Sequence, residues 1–199
     1  MRAPRAHLLG NARSLARALG RPEHRLLAIH VISKIADIKP LLIVGRSDPA
    51  AAMLRLRELA LSDDWQTREV AATALVEIGK THPKAVLAEA NDWSRDRDHR
   101  LRRAASEGLR GIVQLDPAAV RPILERLRAD PDRYVQKSVA NVLRNGSRKQ
   151  AAFVLELCAE WARSADPNTR WIVKEGLRRL AKLRRQEVVR ILESLAPSA

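Results

Sequence analysis

The chain repeats itself every 34 residues, and this period constrains the fold more than any single motif does. Leu75, Leu109, Leu143 and Leu177 stand 34 residues apart. Val86, Val120, Val154 and Val188 keep the same interval, as do Trp93, Leu127, Trp161 and Leu195. Three apolar columns in one register mean that a supersecondary unit is stacked on copies of itself, each burying a face its neighbour cannot bury alone. Every unit holds two segments with apolar residues three or four apart, the helical spacing. "DDWQTREVAATALVEIGK" is followed by "KAVLAEANDW", and "DHRLRRAASEGLRGIV" by "AAVRPILERLRA". "DRYVQKSVANVLRN" is followed by "AAFVLELCAEWARS", and "NTRWIVKEGLRRLAK" by "QEVVRILESLA". Pro83, Pro117 and the run 148–150 mark the turns between the two helices. Asp64, Asp98, Asp132 and Asn168 precede the first helices and are expected as their N-caps. No segment has the alternation of a strand, so the fold class is all-α, an array of helical hairpins.

Clear repeats run from about residue 64 to 196. Upstream, "SDPAAAMLRLRELAL" fits the second helix of a preceding unit, with Leu59 one period before Trp93. Residues 1–50 read as an irregular N-terminal part: a cap over 1–20, then a helix "PEHRLLAIHVISKIADI" ended by Pro40. The arginine-rich start only faintly resembles a transit peptide, and it lacks a secretory h-region. No Gly/Ser linker interrupts the chain, so a single superhelical domain of about five helical pairs over 1–199 is expected. A lone cysteine, Cys158, excludes an internal disulfide. The five histidines form no ligand-like cluster. No metal or other cofactor is therefore expected. No apolar run reaches the ~20 residues that span a bilayer, and a cytoplasmic protein is the simplest expectation.

Lys and Arg number 37 against 23 Asp and Glu, a net charge of +14. Such an excess points to polyanionic partners, nucleic acid first and an anionic membrane surface second; an arginine-rich soluble surface is the plain alternative. The repeat gives the charge an order. Residues −6, −2 and +1 from the leucine column share one stripe of the first helix. They read Glu69/Thr73/Val76, Arg103/Glu107/Arg110, Lys137/Asn141/Arg144 and Trp171/Glu175/Arg178, with Arg68, Arg102 and Arg170 flanking. In a solenoid, equivalent positions line up across repeats. The expectation is a band of Arg103, Arg110, Lys137, Arg144 and Arg178 that matches a row of phosphates. Glu69 and Glu107 sit in or beside the band. Charge-balancing, with Arg103 and Glu107 paired at i,i+4, is one reading; stabilising a developing cation in a dry site is the other. On the residues alone, charge-balancing leads.

The repeats carrying "WSRDRDHRLRRAASEGLR", "RYVQKSVANVLRN" and "NTRWIVKEGLRRL" resemble the HEAT-like-repeat DNA alkylation-repair glycosylases, the AlkC/AlkD superfamily, over about residues 50 to 185. The resemblance implies a right-handed superhelical solenoid of HEAT-like helical pairs (an ARM-type α-α superhelix) of about five repeats. It implies duplex DNA as partner, a monomer, and hydrolysis of the N-glycosidic bond of cationic N3- or N7-alkylated purines. Trp65 and Glu69 resemble a tryptophan and a catalytic aspartate four residues apart in the AlkD branch. Arg103 resembles its DNA-contacting arginine, and Glu107 falls in an SEG motif that looks characteristic of the AlkC branch. The implied catalytic residues are Glu69 and, second, Glu107. Stripe and resemblance together give the expected DNA contacts: Trp65, Arg68, Arg102, Arg103, Arg110, Lys137, Asn141, Arg144, Trp171 and Arg178. Trp93 and Trp161 belong to the core, and Tyr134 is a possible contact to the DNA backbone.

The sequence also departs from the family. Asn141 stands where the AlkD branch has a tryptophan, Glu replaces Asp at 69, and the continuation after the SEG motif reads "LRGIVQLDP". Three readings follow: an alkylpurine glycosylase, a non-catalytic binder of damaged or branched DNA, and a protein-interaction scaffold.

Overall fold

The computed structural model of the chain describes residues 38–39, 41–45 and 47–195. The cap and first helix expected before Pro40 lie almost wholly outside the described residues. From Pro49 onward nine α-helices follow one another: α1 (Pro49–Ala60), α2 (Trp65–Gly79), α3 (Pro83–Trp93), α4 (His99–Ile112), α5 (Pro117–Leu127), α6 (Arg133–Gly146), α7 (Ala151–Trp161), α8 (Pro167–Leu177) and α9 (Arg185–Glu193). A single 3-10 turn, Leu180–Lys182, precedes α9. The described residues contain no strand. The helices pair as α2/α3, α4/α5, α6/α7 and α8/α9, with α1 as the second helix of the unit before. The architecture is an α-solenoid of repeats.

The starts of the first helices are built alike. Asp64, Asp98 and Asp132 are N-caps, each accepting from backbone N–H groups of the first turn. In the fourth unit the cap is Asp166 and not the expected Asn168: Asp166 keeps the 34-residue interval and accepts from the Thr169 backbone N–H (2.6 Å) and hydroxyl (2.7 Å). Pro167 then occupies the first helical position, where a missing N–H costs nothing. Two residues before each cap stand Ser62, Asp96, Asp130 and Ser164, accepting from the cap's own N–H at 3.2, 2.9, 2.9 and 3.2 Å. The turn into each first helix is thus held by a two-step ladder of short polar side chains.

The apolar columns form the core. All four members of the leucine column and of the valine column are buried. Trp93 and Trp161 are buried as expected, and the Trp161 indole N–H donates to Glu125 Oε1 at 3.0 Å. One continuous cluster runs from Ile38 to Ile191. Side by side, the first helices α2, α4, α6 and α8 approach closely enough that a Cβ on Gly176 would lie 2.6 Å from Leu143 Cδ1. Only glycine admits that contact. This lateral packing decides which charges of the first helices reach solvent.

Candidate nucleic-acid interface and cleft

The N-terminal turns of α2, α4 and α6 meet around an open cleft of about 410 Å³. Trp65, Arg68 and Glu69 come from α2, His99, Arg100 and Arg103 from α4, and Tyr134 from α6. Trp65 and Tyr134 are 52 % and 62 % exposed, a large apolar surface left open for a ring or sugar to pack on. Glu69 lies one helical turn after Trp65, and its carboxylate accepts from Arg103 Nη2 across the repeat boundary. The Glu69 side chain keeps 46 % of its exposure, so the pair is accessible from the cleft.

All four arginines of α4 have a carboxylate of their own. Arg100 Nη2 donates to Asp63 at 2.7 Å and its Nη1 to the Leu61 carbonyl at 2.8 Å. Arg102 clasps Asp130 through Nε (2.6 Å) and Nη2 (3.1 Å), and its Nη1 reaches the Asp96 and Arg97 carbonyls at 3.0 and 2.8 Å. Asp130 is buried, and its hydrogen bond raises the Arg102 pKa above the ordinary value. Arg103 pairs with Glu69, and Arg110 Nε with Glu107 at 2.9 Å. The expected Arg103–Glu107 pair is not formed. Glu107 is only 6 % exposed and does not line the cleft.

The other residues singled out in the sequence divide in two. Arg68 lines the cleft but donates to the Ser62 and Asp63 carbonyls at 2.7 and 2.8 Å; like its repeat-mate Arg102 it ties down the turn before its own helix. On α6, Lys137 is exposed with its Nζ 5.4 Å from the Tyr134 ring centre. Asn141 is half-buried and accepts from Asn145 and Arg144, while Arg144 also donates to the Glu175 carbonyl at 3.2 Å. Trp171 is half-buried beneath the Arg133 guanidinium, whose central carbon sits 3.4 Å from the ring centre. Arg178 is exposed and pairs with Glu175 at 3.0 Å.

His99, Arg100 and Arg133 escaped the sequence reading, although the period pointed to them. One and two repeats beyond Trp65 stand His99 and Arg133, each the first residue of its helix. One repeat before Tyr134 stands Arg100. Among the described residues no three His, Cys, Asp or Glu side chains group to hold a metal ion, and no helix is long and apolar enough to cross a membrane.

Comparison with known proteins agrees with the repeat and the fold. HEAT repeats match residues 53–144. The uncharacterized protein YhaZ of Bacillus subtilis (strain 168) is 39 % identical over 61 residues, which cover 31 % of this chain and 17 % of YhaZ. Among solved structures, the alkylpurine DNA glycosylase AlkC of Pseudomonas fluorescens, bound to DNA containing an abasic site analog, superposes with a TM-score of 0.65 and 26 % identity. That match covers 96 % of this chain and 51 % of the AlkC chain, so the chain spans about half the length of AlkC. AlkD2 of Streptococcus mutans has the same fold, with a TM-score of 0.53 and 24 % identity over 85 % of this chain and 81 % of AlkD2. Period, fold and likeness together make the chain an α-solenoid of HEAT-like repeats, similar in fold to AlkC and AlkD2.

Proposed function

We propose that the protein binds duplex DNA and excises cationic N3- or N7-alkylated purines by hydrolysing their N-glycosidic bond. One observation carries the reading. Glu69 is an accessible carboxylate on the wall of a cleft that offers two exposed aromatic rings, Trp65 and Tyr134, and is ringed by cations. AlkC, with DNA in its structure, supplies the substrate class.

The chemistry suits this equipment. An alkylated purine is already cationic, so the C1′–N bond breaks with its electron pair leaving on a neutral base and needs no acid. Positive charge then develops on the sugar, and water adds its oxygen to C1′ while releasing a proton. What the protein must supply is a negative charge near the sugar and a surface to hold it. Glu69 supplies the charge; Trp65 and Tyr134 supply the surface. In the free protein Arg103 holds the Glu69 carboxylate in place on the cleft wall, where the charge developing on the sugar competes for it. Glu107, buried against Arg110, serves the packing of α4.

The Arg103–Glu69 pair also favours a second reading, duplex binding without excision, in which Glu69 only orders Arg103. The test is release of N7- and N3-methylated purine from alkylated duplex DNA by wild type, Glu69→Gln and Glu107→Gln. The proposal expects release by wild type, loss in Glu69→Gln with duplex binding retained, and activity in any folded Glu107→Gln. No release from wild type despite tight, salt-sensitive binding would leave the second reading.

A further inference from the structure

The sequence distributes basic residues over α4 and α6 alike, yet the structure treats them differently. On α4 all four arginines are matched to carboxylates: Arg100 to Asp63, Arg102 to Asp130, Arg103 to Glu69 and Arg110 to Glu107. The three cations of α6 have neutral partners. Arg133 lies flat on the Trp171 ring and donates to Gln136 Oε1 at 2.9 Å. Lys137 stands over the Tyr134 ring. Arg144 donates to the Glu175 carbonyl and, at 3.5 Å, to Asn141 Oδ1. Among the described residues none of the three forms an ion pair with a carboxylate.

The difference matters for binding a polyanion. A guanidinium paired with a carboxylate must break that pair, and leave the acid uncompensated, before it can hold a phosphate. A cation seated on an aromatic ring or a carbonyl is positioned but not neutralised, and its full charge remains available. Positions 133, 137 and 144 also fall within about 40° of each other around a helix turning 100° per residue, and span about 16 Å of its axis. That is one stripe, long enough for several successive phosphates. Its first member, Arg133, is the repeat equivalent of Trp65 in the cleft, two first helices away and thus on the order of 16 to 20 Å from it.

We infer that α6 is the phosphate-holding row of the interface: Arg133, Lys137 and Arg144 grip a nucleic-acid backbone to one side of the cleft, and Trp171 and Tyr134 are positioning residues that seat two of these cations. Arg133 is the new contact, and Trp171 acts through it. This rests on duplex DNA being the partner, and it assigns the task to α6 in place of the arginine-rich α4.

The experiment is a salt titration of binding to a fluorescein-labelled duplex by anisotropy. Each phosphate contact contributes about 0.9 to the slope of log affinity against log salt. Arg133→Ala, Lys137→Ala and Arg144→Ala should each flatten the slope by about 0.9, and the triple variant by about 2.7. Arg121→Ala, on α5 where the guanidinium is paired with Glu156 and Glu160, should leave it nearly unchanged. Trp171→Ala should reproduce the Arg133→Ala loss, Trp171→Phe should restore it, and combining Trp171→Ala with Arg133→Ala should add nothing. Because Trp171 also packs on the core, Trp171→Phe keeps this arm decisive if Trp171→Ala misfolds. If wild type binds the duplex while the folded triple variant keeps its slope, this inference is overturned and duplex binding stands. If wild type does not bind duplex, both fall.

Discussion

Helices α4 and α6 occupy the same place in successive repeats, yet one is self-neutralised and the other is not. Arg102 and Gln136 are repeat-mates, and both tie down the turn before their own helix. Arg102 does it with a charge, and so requires buried Asp130 as counter-ion. Gln136, 2 % exposed, does it with a neutral amide donating to the Asp130 carbonyl at 2.8 Å. The same clasp is made by two chemistries. The contrast teaches that basic composition alone does not locate a phosphate site; the partner of each cation does.

The two clasps should differ most in what their loss costs the fold. Asp130→Ala leaves the Arg102 guanidinium partly buried and unpaired, and should destabilise the protein by about 3 kcal/mol. Gln136→Ala removes the amide hydrogen bond to the Asp130 carbonyl and the acceptor of Arg133 but leaves no buried charge unpaired, and should cost only about 1 kcal/mol. Urea unfolding of both variants reads the difference, and equal losses would mean that the clasp does not depend on charge.

A second test exchanges the character of α4. Glu69→Gln unpairs Arg103 and makes it resemble the cations of α6. Duplex affinity should rise, and the salt slope should steepen by about 0.9, even as base release disappears. An unchanged slope would mean that Arg103 does not face the DNA.

Acid probes the carboxylates on the α4 side. The hydrogen bond from the Asp98 backbone N–H, with Arg57 and Arg102 nearby, holds the Asp96 carboxyl below its ordinary value although burial opposes this. A group whose folded pKa is depressed stabilises the fold above its unfolded value, ~3.9. That stabilisation is lost as pH falls through the folded value. Asp96→Asn should therefore lower stability at neutral pH and flatten the acid limb of the stability profile. A parallel loss at every pH would assign Asp96 a role independent of its charge.

The smallest effect is a control for every variant on either helix. Burial in α7 pushes the Cys158 thiol up to about 12, so it should resist alkylation at neutral pH while the solenoid is folded. Rapid labelling would identify a variant whose binding loss comes from unfolding.

The repeat made much of this legible in the sequence. The leucine and valine columns, the buried Trp93 and Trp161, and three of the four N-caps follow from period and spacing. Asn168 fits a cap by residue type, but the 34-residue interval from Asp132 selects Asp166. The site was half legible. Trp65, Glu69 and Arg103 do meet in one cleft, because residues one period apart lie side by side on adjacent first helices. The burial of Glu107 is not legible in the sequence, because helix spacing gives an angle around one helix but not which flank its neighbours cover. Arg133 escaped because its significance lies in Trp171, a contact between repeats that no local pattern displays.

What we propose is a division of labour, with chemistry at Glu69 and grip on α6. It is tested most directly by single-turnover release of methylated purine from alkylated duplex, measured against protein concentration. The account predicts that Glu69→Gln abolishes the saturating rate. The triple variant of Arg133, Lys137 and Arg144 should reach the wild-type rate, but only at higher concentration. A saturating rate that survives Glu69→Gln would contradict it.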